Sequence, residues 1–140
     1  MILSAPATLL TAAVTLLAVL VALWTAILVA RARSRTGIKP PAVTGSPDLE
    51  CALRVQANTV EQFILFLPAL WLAALYFQGW VPPIIGAIWC LGRILYGVGY
   101  RADKPTARAP GFGISILATL VLIVLGGIGI VQAWMTVSAS

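Results

Sequence analysis

Residues 54–77 read RVQANTVEQFILFLPALWLAALYF. From Val55 to Phe77 the stretch is long enough to cross a bilayer as a helix, which takes roughly 20 residues. It is interrupted by Asn58, Glu61 and Gln62, all near its start. Three more apolar stretches of similar length lie at about 6–30, 82–100 and 111–134. Pro82 and Pro83 open the third, suiting a helix start because the missing N–H has no partner to lose there. Strands of a membrane barrel alternate over about ten residues, whereas these runs are continuous. Residues 1–140 therefore read as one all-α integral membrane domain, a bundle of four transmembrane helices. No internal repeat is visible.

Composition agrees. Of 140 residues, 61% are hydrophobic and 9% charged, and the mean hydropathy is +1.02. A soluble chain carries about 25% charged residues, so this one cannot cover a water-facing surface. The chain has no His, which excludes imidazole base catalysis, His-ligated haem and nearly every zinc hydrolase site. Cys51 and Cys90 make neither a disulfide framework nor a metal cluster, and no metal is expected.

The formal charge of +5 is distributed as a topology signal. Arg31, Arg33, Arg35, Lys39 and Arg54 surround the first connection; Arg93, Arg101, Lys104 and Arg108 surround the third. The positive-inside rule places both connections in the cytoplasm and both termini outside. Nucleic acid is thereby removed as a partner. The first apolar stretch lacks a preceding basic segment, so it reads as a retained span rather than a cleaved signal. A bacterial inner membrane is the expected location. Residues 31–54 read as the one substantial loop, extended and turn-rich because of Lys39-Pro40-Pro41 and Gly45-Ser46-Pro47.

A charge inside a bilayer costs at least about 2.5–3.5 kcal/mol even on the lenient insertion scale, and marks a functional candidate. Arg54, Asn58 and Glu61 stand at i, i+4 and i+7 on one helix face. Arg93, Tyr96 and Tyr100, at i, i+3 and i+7, form a second stripe near the same membrane side. A bland reading exists for each: Glu61 and Arg93 neutralise one another, the tyrosines are interfacial belt residues, and Arg31, Arg33 and Arg35 stop translocation. The excess of positive charge argues for more. One Glu needs one Arg, and the surplus calls for an anion. Arg binds carboxylates bidentately, so the set suits a small zwitterion with more than one carboxylate. Pro68 frees the carbonyl of Ile64 and is expected to kink the second helix. Gly126, Gly127 and Gly129, and Gly86 with Cys90, permit close helix approach.

Arg54-Val55-Gln56-Ala57-Asn58-Thr59-Val60-Glu61, running into Phe63 and Pro68, resembles the second-helix signature of the membrane-associated proteins in eicosanoid and glutathione metabolism, the MAPEG family. Gly92-Arg93-Ile94-Leu95-Tyr96-Gly97-Val98-Gly99-Tyr100 resembles its third-helix signature. The stretch Pro40-Pro41-Ala42-Val43-Thr44-Gly45 is similar to the first connection of the leukotriene C-type synthase branch. The resemblance implies a homotrimer of four-helix subunits embedded among membrane lipids, binding glutathione as cosubstrate at subunit interfaces open to the cytoplasm. By position, Arg54, Gln56, Asn58, Glu61, Arg93, Tyr96 and Tyr100 match glutathione-contacting or pocket-supporting residues. Arg108 matches the arginine credited with activating the thiol, although a strict count along the third connection lands on Ala107. Arg33 matches the arginine that reaches the thiol side. Gln62 stands where some synthases carry a glutathione-contacting Tyr, and Tyr96 where some prostaglandin synthases have His.

The implied activity is a glutathione transferase, with peroxidase activity as a companion, acting on a lipophilic electrophile or a lipid hydroperoxide. The alternatives are a non-catalytic lipid- or ligand-binding membrane protein on the same scaffold and a small multidrug exporter. Retention of Arg54, Asn58 and Glu61 argues against the first. The absence of any acid from the first span argues against the second, whose essential Glu lies there. The charge bias is testable with Cys51. With Cys90 replaced by Ala, an impermeant maleimide should label Cys51 only after the inner face is opened; labelling of intact cells would reverse the orientation.

Overall fold

The structure, a computed structural model, describes residues 5–139. Four helices follow one another: α1 (Pro6–Thr36), α2 (Pro47–Leu72), α3 (Val81–Gly99) and α4 (Ala109–Ser138). A π-helical turn, Ala73–Phe77, continues α2, and a 3-10 turn, Pro105–Arg108, leads into α4. All four segments are long and apolar enough to cross a membrane, and no strand occurs among the described residues. The chain is an integral membrane protein with an all-helical fold.

The first connection is much shorter than its composition implies. Helix occupies most of the expected loop at 31–54, leaving only residues 37–46 between α1 and α2. Charge ends an apolar run without ending a helix. At 31 residues and about 1.5 Å per residue, α1 outreaches a hydrocarbon core of roughly 30 Å, so its arginines ride on helix beyond the lipid. It stops at Gly37, which takes φ 71° while its N–H donates to the Arg33 carbonyl. Gly45-Ser46-Pro47 proves to be a helix start: Pro47 occupies the first turn, with Asp48 and Glu50 beside it, where carboxylates suit the positive end of the helix dipole. Glu50 accepts from the Gly45 N–H at 3.2 Å, and Arg35 pairs with Asp48 at 2.7 Å, tying the two helix ends together.

The buried stripe of α1 is small and evenly spaced: Thr8, Thr11, Val14, Ala18, Val21, Thr25, Val29 and Ala32. Steps of three and four keep these residues on one face. Val14, Ala18 and Val21 pack with Phe66 and Leu70 of α2, Trp89 and Cys90 of α3, and Ala118 and Leu122 of α4, while Val29 and Ala32 pack with Leu49 of α2. Large apolar side chains such as Leu16, Leu20, Ile64, Leu117 and Val124 point outward, as lipid-facing or interface positions require. Pro68 lies inside α2, and the winding changes five residues later at the π-helical turn. There α4 comes close to the π-helical turn: a Cβ on Gly129 would collide with the backbone of Tyr76 and Phe77. Gly126 and Gly86 are also closely approached, whereas Gly127 faces open space.

The ends of α3 and α4 that matter for the site meet backbone to backbone. A Cβ on Gly111 would strike the backbone of Tyr96 and Gly92, and one on Gly92 would stand 2.7 Å from Ser115 Oγ. Ser115 Oγ donates in turn to the Gly111 carbonyl at 2.9 Å. The turn at residues 100–104, between α3 and the 3-10 turn, is pinned by Arg101, which donates to both Asp103 carboxylate oxygens at 3.0 and 2.8 Å. Those hydrogen bonds hold the exposed Asp103 carboxyl below its ordinary range. Gly111→Ala should therefore destabilise by about 1–3 kcal/mol, the usual cost of overpacking. Gly113→Ala, whose Cβ meets nothing, should stabilise by roughly 0.5–1 kcal/mol. Thermal unfolding in detergent measures both, and similar midpoints for the pair would show that this approach is not tight.

Candidate functional site

The two polar stripes meet at the basic end of the bundle. Because α2 and α3 run antiparallel, the first turns of one face the last turns of the other, placing Arg54 and Asn58 opposite Tyr96 and Tyr100. With Arg108, Ala109 and Phe112 these four residues line a cleft of about 430 Å³, within the range of roughly 300–1,000 Å³ common for small-molecule sites. Arg108 sits with its guanidinium 4.6 Å from the centre of the Tyr100 ring, and Tyr96 and Tyr100 meet edge to face at 5.4 Å. Arg108, rather than Ala107, faces the cleft, since the Ala107 carbonyl is packed against Gly99.

Behind the cleft lies Arg93, which is fully buried. Its Nη2 donates to Thr59 Oγ1 at 2.8 Å and to Asn58 Oδ1 at 3.1 Å, and the guanidinium stands 4.1 Å from the Tyr96 ring centre. Asn58 passes the connection on, its Nδ2 donating to Glu61 Oε2 at 3.3 Å. Glu61 and Arg93 therefore do not form a direct ion pair; Asn58 stands between them. The ion pairs found among the described residues are Arg35–Asp48 and Arg101–Asp103, both exposed. Glu61 and Arg54 are exposed on the outer face of α2.

Two expected residues lie elsewhere. Arg33 donates from Nη1 to the carbonyls of Ile38 and Ala42 at 3.2 and 2.9 Å, folding the first connection back over the end of α1. Gln56 faces a separate, wider cavity of about 720 Å³ with Val43, Thr44, Glu50 and Leu53; Arg54 borders both cavities. Thr59 and Phe112 belong to the site without having been singled out in the sequence. Thr59 had a usable signal, a hydroxyl beside Asn58 in a membrane helix; Phe112 had none, being one apolar residue among many. No three of Cys, Asp and Glu gather as metal ligands among the described residues.

Thr59 gives a direct test of this geometry. Thr59→Val keeps the shape and removes the acceptor from a buried charge, which should cost about 1.5–3 kcal/mol. Thermal unfolding of the detergent-solubilised protein reads the loss; an unchanged midpoint would mean that Arg93 does not depend on Thr59.

Residues 11–128 match the MAPEG family. An uncharacterised protein of Synechocystis is 47% identical over 115 residues, 81% of this chain and 82% of its own. Human microsomal glutathione S-transferase 2 is 36% identical over 124 residues, covering 89% of this chain and 84% of that protein. Guinea pig (Cavia porcellus) leukotriene C4 synthase is 34% identical over 128 residues, covering 91% and 85%. The four membrane-length helices and the match across most of the chain lead to one assignment: this protein is a member of the MAPEG family.

Proposed function

We propose that this protein is a membrane-bound glutathione transferase that joins the glutathione thiolate to lipophilic electrophiles, with lipid hydroperoxides as further substrates. The observation that carries this reading is the convergence of Arg54, Asn58, Tyr96, Tyr100 and Arg108 on one cleft. It is supported by relatives named as a glutathione transferase and a leukotriene C4 synthase. Glutathione is a zwitterion with two carboxylates and one ammonium group. Arg54 offers a guanidinium fork for a carboxylate, Glu61 receives the ammonium, and the tyrosine hydroxyls donate along the peptide.

The chemistry needs little from a base. An ordinary thiol has a pKa near 8.5, so about 3% is thiolate at pH 7. A neighbouring cation lowers a thiol pKa by roughly 1–3 units, and a drop of about two units makes some three quarters thiolate. Arg108 supplies that cation from the cleft wall, and the proton leaves to water. Sulfur then forms a bond to an electrophilic carbon, and either the leaving group departs with the bonding pair or the adduct takes a proton. Arg33 is the weaker candidate for activation because its guanidinium is held by the carbonyls of Ile38 and Ala42.

We infer an assembly of several copies from what one chain leaves uncovered. Glu61 is exposed on a membrane-crossing helix, and a carboxylate facing lipid is costly. A second copy laid against that face of α2 would cover it. A homotrimer with clefts at its subunit interfaces, open to the cytoplasm, is the arrangement we favour, and the bacterial inner membrane is the location that suits it.

The decisive experiment combines binding and turnover in detergent. Arg108→Ala should bind glutathione nearly as well, lose the thiolate ultraviolet absorbance at neutral pH and lose most activity. Arg108→Lys should keep part of both, since it retains charge without the guanidinium fork. Glu61→Gln should weaken glutathione affinity roughly ten- to hundred-fold, as expected for a lost charged hydrogen bond. Unchanged thiolate signal and turnover in Arg108→Ala would transfer the activating role elsewhere. Absence of glutathione binding by the unmodified protein would leave the non-catalytic ligand-binding reading.

A further inference from the structure

Between α1 and α3 the outside of the bundle carries a groove of about 330 Å³, lined by Leu20, Val21, Trp24 and Ile94. Gly97 of α3 makes room for its wall: the Trp24 ring lies where a side chain would be, and a Cβ on Gly97 would stand 2.7 Å from two ring atoms. Leu20 and Ile94 are exposed, so the groove opens outward to lipid. Through Gly97, Trp24 is level with the last turn of α3 (Val81–Gly99). That is the membrane–water boundary, where tryptophan is favoured.

Arg31 stands in line with this groove. It is at i+7 from Trp24 and i+11 from Leu20 on one unbroken helix, spacings that return to within about 20° of the same face. The helical rise carries it about 10 Å beyond Trp24, within side-chain reach of a headgroup layer that adds roughly 5–8 Å to each side of the hydrocarbon. The other two arginines at this helix end are engaged, Arg33 by the carbonyls of Ile38 and Ala42 and Arg35 by Asp48. Arg31 is exposed and has no hydrogen-bond or ion-pair partner among the described residues. A second copy of this chain is poorly equipped to supply one. Of its four side-chain acids, Asp48 and Asp103 are ion-paired, Glu50 accepts from the Gly45 N–H and Glu61 from Asn58. The anion that suits a free guanidinium above an apolar, lipid-facing groove is the phosphate of a lipid whose acyl chain fills that groove. A guanidinium fork matches phosphate geometry, and basic pockets between membrane helices hold anionic head groups.

We propose that the groove between α1 and α3 is a site for one anionic phospholipid, an acyl chain lying against Leu20, Val21, Trp24 and Ile94 and the phosphate at Arg31. The groove shares no lining residue with the cleft of Arg54 and Arg108, so the assignment is independent of the transferase reading.

Native mass spectrometry of the detergent-solubilised protein, titrated with phosphatidylglycerol or with phosphatidylcholine of the same acyl chains, tests this without glutathione. The anionic lipid should be retained roughly fivefold better, the preference expected of one basic side chain at a membrane surface. Arg31→Gln should abolish that preference, and Arg31→Lys should keep most of it. Leu20→Trp, which fills the groove and leaves the charge, should weaken retention of both lipids. Lys39→Gln removes the same charge from the first connection, where the neighbouring Ile38 packs with Leu49 of α2, and should leave the preference intact. Arg31, Lys39 and Leu20 are all exposed, so the variants should melt with the unaltered protein. Equal retention of the two lipids by the unaltered protein overturns the proposal, as does an undiminished preference in Arg31→Gln. An equal loss in Lys39→Gln would show diffuse attraction to the basic end and likewise overturns it. So would loss of self-association in Leu20→Trp with lipid retention unchanged, which would give the groove to a second copy.

Discussion

A guanidinium enclosed between two membrane helices is the constraint around which this protein is arranged. Arg93 is fully buried and touches no carboxylate. A charge so placed is tolerated only where neighbouring groups replace its hydration. Thr59 and Asn58 supply part of that replacement from α2, the Tyr96 ring supplies a π face, and Glu61 acts at one remove through Asn58. This relay sets the register of α2 against α3. A shift by one residue would carry Asn58 and Thr59 off the facing side, since helical neighbours are about 100° apart.

The other helices keep that pair in place. Glycines let α3 and α4 approach backbone to backbone at Gly92 and Gly111, fixing where Arg108 emerges relative to Tyr100. The small stripe of α1 seats that helix against the core without pushing α2 and α3 apart. At the opposite end the π-helical turn lies against Gly129. Large apolar residues are left for the outside, where water gives them no reason to turn inward and lipid accepts them. The polar cleft at one end and the apolar exterior along the helices are the features on which the proposed transferase reading rests.

Much of this was legible in the order of residues. Four uninterrupted apolar runs imply four helices whatever their packing, because a backbone in lipid must satisfy its own hydrogen bonds. Arg54, Asn58 and Glu61 were legible as one face because helical periodicity is local. The helix ends were less so: hydropathy marks where lipid stops, whereas Gly37 and Pro47 mark where helix stops, and the two differ by six to eight residues at the first connection. Gln62 shows another limit. Its place in the polar run aligned it with a glutathione-contacting position, yet the structure buries its side chain.

The sequence by itself determined the membrane-spanning character, the number of helices, the gathering of basic charge at one end and the membership of polar residues in two stripes. All of these follow from composition and from periodicities that act over a few residues. Only the tertiary structure decided that Asn58 stands between Glu61 and Arg93, that Arg33 turns to its own connection, and that Arg108 lies over Tyr100. These depend on the rotation and depth of each helix against its neighbours, set by contacts between residues such as Gly111 and Tyr96 or Thr59 and Arg93. Such pairs are distant in the chain, and no local pattern encodes the angle at which two helices meet.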